Sequence, residues 1–134
     1  MHNTWKVFIV AVLVIAVAAI LAGKRNGANT ASPPPKENAL PQMIEFGSKT
    51  CVPCQMMQPI LEELRKEYQG QLEVPFWDVY EHPDKAKSYD IRVIPTQVFI
   101  GADGKEFFRH EGFFPKEEIL AKFKEHGVIL RPAK

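Results

Sequence analysis

The hydrophobic pattern divides the chain into three stretches of different character. Val7 to Ala22 (VFIVAVLVIAVAAILA) is an unbroken apolar run, and Lys24 to Asn38 (KRNGANTASPPPKEN) is polar and rich in Pro, Gly and Asn. From Leu40 onward apolar and polar positions alternate with the periods of strands and helices. As a helix the first run rises about 24 Å at ~1.5 Å per residue. With Trp5, the stem of Lys6 and Gly23 it reaches the lower end of the roughly 17 to 25 residues used by a spanning helix. An apolar surface on every side argues against a buried core helix. Residues 1–23 are therefore read as a membrane anchor, Trp5 marking the interface. A cleaved signal segment is the competing reading, although its small-x-small site, Ala16-Val17-Ala18, falls inside the apolar run. Residues 24–38, with Pro33-Pro34-Pro35 favouring an extended polyproline conformation, read as a flexible tether.

Residues 39–134 carry the folded domain. Gln42 to Phe46 predicts a first strand, and Gly47 to Thr50 a loop leading into Cys51-Val52-Pro53-Cys54. Pro53 to Gln69 predicts a helix, with Met56, Met57, Ile60, Leu61 and Leu64 at helical spacing and Pro59 expected to kink it. Leu72 to Tyr80 predicts a second strand, His82 to Tyr89 a loop or short helix, and Thr96 to Ile100 a third strand. The Asp103-Gly104 turn joins this to a fourth strand, Glu106 to His110. Pro115 to His126 predicts an amphipathic closing helix, stopped by Gly127. Strand, helix, strand, hairpin, helix is an α/β arrangement: a parallel βαβ pair extended by antiparallel strands into a mixed sheet of about four strands flanked by helices.

Charge and cysteine content narrow the chemistry. The full chain has 17 Lys and Arg against 16 Asp and Glu, for a net charge of +1, which supplies no basic surface for nucleic acid. Lys24 and Arg25 slightly outweigh Lys6 plus the amino terminus, so the positive-inside rule read literally places the domain in the cytoplasm. A lone N-terminal apolar segment more often acts as an export signal, and the expectation is an extracytoplasmic domain.

Both cysteines lie in one C-x-x-C at the mouth of a helix that follows a strand. Side chains three apart in a first helical turn share a face, so the pair can form and break a disulfide with little backbone motion. Cys51, at the positive end of the helix, has unpaired amide groups to stabilise its thiolate and is the expected nucleophile. Cys54 is the expected resolving thiol. A purely structural disulfide across so short a loop would remove little chain entropy. Half a zinc site lacks partners, because no second C-x-x-C and no H-x3-5-H spacing exist. Haem attachment needs a histidine where Gln55 stands. The site is expected to hold no metal and to need no cofactor beyond the Cys51/Cys54 disulfide.

From about Met43 to Gly127 the residues resemble the thioredoxin family. The resemblance rests on Glu45-Phe46 before the motif, Cys51-Val52-Pro53-Cys54, Pro59, Ile94-Pro95-Thr96 before the third strand and Gly112 after the fourth. It implies a thioredoxin fold, trimmed at its N-terminus, and thiol-disulfide exchange. It also implies a cis Ile94–Pro95 bond beside the cysteines, with Pro95, Ile94, Thr50, Val52 and Pro53 shaping a substrate groove. Glu45 takes the place of the family's buried acid and is a candidate for proton transfer at Cys54; a solvated acid on a strand is the alternative. Departures are clear. Thr50 and Val52 stand where tryptophan and glycine are usual, and Phe76 takes the place of the lysine that often accompanies the acid.

Val52-Pro53 adds no thiolate-stabilising group, so the dithiol is expected to act as an electron donor, nearer the reducing end of the family's range of about −270 to −120 mV. The expected function is reduction of disulfides in extracytoplasmic client proteins. By family analogy an integral membrane thiol carrier supplies the electrons, and oxidised haem-binding motifs of apocytochromes c are one client class. A monomer is expected, and the location would be the periplasm in a Gram-negative bacterium. Thiol oxidase or isomerase activity, and a non-enzymatic metal-binding or assembly module, remain the alternatives.

Overall fold

A computed structural model describes residues 39–133. The expected anchor (residues 1–23) and tether (24–38) lie outside the described residues. Among those described, no helix is long and apolar enough to cross a membrane.

The elements follow in the order β1 (Gln42–Gly47), α1 (Val52–Glu67), β2 (Phe76–Asp78), α2 (Pro83–Ser88), β3 (Thr96–Ile100), β4 (Glu106–Glu111) and α3 (Lys116–Glu125). They form one four-stranded sheet in the order β2-β1-β3-β4. β1 pairs parallel with β2 and antiparallel with β3, and β3 pairs antiparallel with β4. This is the mixed sheet that the chain order predicts, and β1 is the first element among the described residues.

Strand alternation sends successive side chains to opposite faces, and both faces are covered. Met43 and Phe99 project toward α1 and α3, where they pack with Met57, Leu61, Leu64, Ile119 and Phe123. Phe99 is the hub, its ring centroid 5.0 Å from that of Phe123 and 5.3 Å from that of Phe108. The opposite face holds Ile44, Phe46, Val98 and Ile100 under Trp77, Val79, Tyr89 and Ile91. Because neither face of β1 or β3 is solvated, both strands are buried along almost their whole length.

Two boundaries differ from the sequence pattern. The expected second strand, Leu72 to Tyr80, narrows to Phe76–Asp78, preceded by an isolated bridge between Gln42 and Glu73. Pro75 has no N–H to give to a ladder, so regular pairing resumes only after it, although its carbonyl still accepts from the Glu45 amide at 2.9 Å. Gly47, expected in the loop, is the last residue of β1 and pairs with Asp78. The remaining elements agree to within a few residues. Gly104 (φ +77°) provides the left-handed position of the β3–β4 turn, and Gly127 (φ +78°) ends the last helix.

Candidate active site

The site is built at the junction of β1 and α1. Val52-Pro53 opens the helix, where proline is well tolerated because its missing N–H would have no intrahelical partner. Cys51 is the N-cap, with extended backbone, and its sulfur accepts from the Cys54 amide at 3.3 Å. That amide is one of the unpaired donors of the first turn, and it supports a negative charge on Cys51 when the disulfide opens. Cys51 and Cys54 are joined as a disulfide with a Cα–Cα distance of 5.2 Å. Their environments differ: Cys51 is half-buried, whereas Cys54 is fully buried. The outer sulfur is thus open to a partner molecule, and the inner one is reached only through it.

Gly47 sets the distance between strand and helix. A Cβ at this position would lie 3.2 Å from both Cβ and Sγ of Cys54, and 3.1 Å from the Phe76 ring. Glu45 is two residues back on the same strand and points to the same face, a spacing of about 6.7 Å along the chain. Its carboxyl is completely buried, and neither oxygen has a hydrogen-bond partner. Burial pushes its pKa up from 4.5 to about 8, an effect that the Gln97 amide across the ladder and the charge of Arg65 only partly offset. The solvated-acid alternative is thereby excluded. Phe76, the register partner of Glu45 on β2, is apolar, so no lysine stands beside the acid from that strand.

The Ile94–Pro95 bond is cis, as the resemblance implies. Phe46 pairs with Thr96, so continuing the antiparallel register by one residue sets Pro95 opposite Gly47 and therefore at the cysteine end of β1. The Pro95 carbonyl is held by the Gly112 amide at 2.8 Å. Pro95 is buried and Ile94 half-buried, while Thr50, Val52 and Pro53 are exposed. Exposed apolar side chains cluster in the same segments: Val52 beside the cysteines, Met56 one turn along α1, Val93 before the cis bond and Phe113 after Gly112.

Other residues singled out from sequence have ordinary packing roles. Met57, Phe107, Phe108 and Phe114 belong to the core or pack on it. Arg92 pairs with Asp90, and Lys49 with Glu81, both on the surface. Two residues escaped the sequence reading. Gly47 looked like loop, and Gln97 looked like one polar residue in an apolar strand; its fixed position opposite Glu45 depends on a register that sequence does not display.

The thioredoxin family model matches residues 36–125. Thioredoxins from Staphylococcus aureus strains Mu50 and MW2 are each 35% identical over 85 residues, covering 63% of this chain and 81% of the relative. A solved structure described as that of a malarial protein shares the fold, with a TM-score of 0.61 at 20% identity, covering 65% of this chain and 97% of that one. Thioredoxin-family proteins need no cofactor beyond their redox-active disulfide. Among the described residues, no group of three or more His, Cys, Asp or Glu side chains is placed to hold a metal ion. With a family match that runs through the cysteine pair and the cis proline alike, the chain belongs to the thioredoxin family and is a thiol-disulfide oxidoreductase working through Cys51 and Cys54.

Proposed function

We propose that this oxidoreductase is a membrane-anchored reductase of extracytoplasmic client disulfides. The observation that carries the direction of transfer is the asymmetry of the pair: a half-buried Cys51 at a helix N-terminus, with a buried Cys54 behind it and no charged or histidine side chain between them. Val52 and Pro53 add nothing that would hold the dithiol strongly reduced, so its electrons are available to a client.

In the reduced protein the Cys51 thiolate attacks one sulfur of the client disulfide. The client S–S bond breaks, a Cys51–client mixed disulfide forms, and the other client sulfur leaves as a thiolate that takes a proton from solvent. Glu45 as carboxylate then accepts the Cys54 thiol proton, through a bridging water across the remaining gap. The Cys54 thiolate attacks Cys51 Sγ, closing the Cys51–Cys54 disulfide and expelling the second client thiolate, which is protonated in turn. Two electrons pass from the dithiol to the client. A carboxyl group titrating at about 8 is matched to this task, because both of its forms are populated near neutral pH. Thr50, Val52, Pro53, Ile94 and Pro95 line the path of the client segment, and the apolar side chains of Met56, Val93 and Phe113 widen that surface. Residues 1–23 hold the domain at the membrane, where an integral membrane thiol carrier re-reduces it; the protein acts as a monomer.

The test is the reduction potential of Cys51/Cys54, obtained by equilibrating the chain with defined thiol buffers, together with a Cys54→Ser trap. A potential below about −220 mV and a mixed disulfide trapped on Cys51 support the reductase. A potential above about −150 mV turns the assignment to oxidation or isomerisation. The location is tested separately by a topology reporter fused after Lys134.

A further inference from the structure

A row of polar side chains crosses the sheet on the face that carries α1. Glu45 on β1 stands opposite Gln97 on β3, and Gln97 stands opposite His110 on β4. Directly opposed residues share a face and meet side chain to side chain. Gln97 is fully buried in a layer otherwise filled by residues such as Met43, Met57 and Phe99, where an amide is costly unless its polar atoms are used.

The Gln97 amide has a fixed orientation. One N–H of Nε2 donates to the Gly112 carbonyl at 3.2 Å, and a carbonyl can only accept, so the NH2 end must face Gly112. This leaves the second N–H and Oε1, and Oε1 has no partner. Across the ladder stand two carboxyl oxygens that also have none. An amide is unusual in presenting a donor and an acceptor side by side. It can donate to a carboxylate, and it can accept the O–H of the carboxylic acid, whereas an aliphatic side chain of the same size can do neither.

We propose that Gln97 is the positioning residue of Glu45: its amide, anchored through Nε2 on the Gly112 carbonyl, holds the buried carboxyl and serves both of its protonation states. Glu45 then exchanges its proton without any rearrangement of the strands. The Gly112 amide holds the Pro95 carbonyl while the Gly112 carbonyl holds Gln97, so one turn fixes the cis-proline segment and the acid's partner together. Other ionisable groups bear on Glu45 from the packed elements. Arg65 acts on it through space from α1 while its Nε donates to the Val74 carbonyl, Cys54 lies at the start of the same helix, and His110 lies beyond Gln97 on β4; β2 sets the apolar Phe76 opposite Glu45, with the Asp78 carboxylate two residues on, where it accepts from the Lys49 and Tyr80 amides.

This inference deepens the assignment of Glu45 as the proton-transfer group and rests on it for its catalytic consequence. The test compares the full chain with Gln97→Met, of equal length but without an amide, and Gln97→Asn, which withdraws the amide by one methylene. In the oxidised protein the Glu45 carboxyl is titrated by carbon-13 NMR; in the reduced protein the pH profile of mixed-disulfide resolution is measured. The bond to the carboxylate is charge-assisted and the stronger of the two, so loss of the amide is expected to raise the Glu45 midpoint by about one pH unit in Gln97→Met, with a smaller rise in Gln97→Asn. The resolution profile should move upward by the same amount. Variants that lose thermal stability while the Glu45 midpoint stays in place would show Gln97 to be merely structural and overturn the proposal. Should Gln97→Met not fold, an unchanged midpoint in Gln97→Asn overturns it equally. A midpoint that moves while the resolution profile does not, in these variants and in Glu45→Gln alike, upholds Gln97 as the partner of Glu45 and overturns instead the proton-transfer role of the acid.

Discussion

Glu45→Gln should remove a large pH-dependent contribution to folding stability, and the size of the effect follows from burial. The acid is fully buried, and its pKa rises from 4.5 to about 8. Folding therefore favours the protonated form. The contribution of Glu45 is most favourable below about pH 4.5, and stability is lost as the pH rises toward 8, because the unfolded chain ionises first. At ~1.36 kcal/mol per pKa unit, the loss relative to acid conditions is about 3 kcal/mol at pH 7 and about 5 kcal/mol above pH 9. A neutral glutamine of the same shape does not ionise. Its own burial changes stability by an amount that does not vary with pH. The assay is urea unfolding of the oxidised full chain, kept oxidised so that thiol titration does not intrude, at pH 4.5, 7 and 9. The stability of Glu45→Gln minus that of the parent should climb across this range by several kcal/mol, and the shared histidine titrations cancel in the difference. A difference that stays flat within about 0.5 kcal/mol would show that the carboxyl is not held neutral by the fold, and would refute the argument from burial.

Two further substitutions probe the packing around the cysteines. Gly47→Ala places a methyl group 3.1 to 3.2 Å from Phe76 and Cys54, so it should cost roughly 1–3 kcal/mol by overpacking and push α1 away from β1. Denaturant unfolding and the alkylation rate of reduced Cys51 check this, and a variant as stable and as reactive as the parent would show that the strand–helix spacing is not tight. Phe99→Ala empties the hub of the aromatic cluster and should cost about 3–5 kcal/mol without moving the reduction potential by more than a few millivolts, since Phe99 lies away from the cysteines on β3. A potential shift comparable to that of an active-site change would contradict the separation of core from site.

How much of the site was legible in the sequence depended on whether its chemistry is local. Cys51 and Cys54 could be read directly, because one helical turn brings i and i+3 together wherever the motif opens a helix. Two of the three strand pairings also followed from local patterns: an intervening helix favours parallel pairing of β1 with β2, and the Asp103-Gly104 signal marks the short Gly101–Lys105 connection of the β3–β4 hairpin. The second strand was overestimated, since its apolar pattern runs through Pro75 while the ladder cannot.

Tertiary structure decided whatever depends on register and burial. Glu45 and Gln97 are 52 positions apart in the sequence, and only the antiparallel alignment of β1 with β3 sets them face to face. A shift of one residue would have sent Glu45 to the other face and left the site without an acid. The elevated proton affinity of Glu45 likewise belongs to the assembled fold, because it arises from layers of apolar side chains contributed by distant segments. Sequence by itself determined which residues carry the sulfur chemistry and in what order the elements run; packing determined which side chains that chemistry meets. The physical reason is that bonding within one helical turn is set by local backbone geometry, whereas the environment of a buried charge is a sum over the whole core.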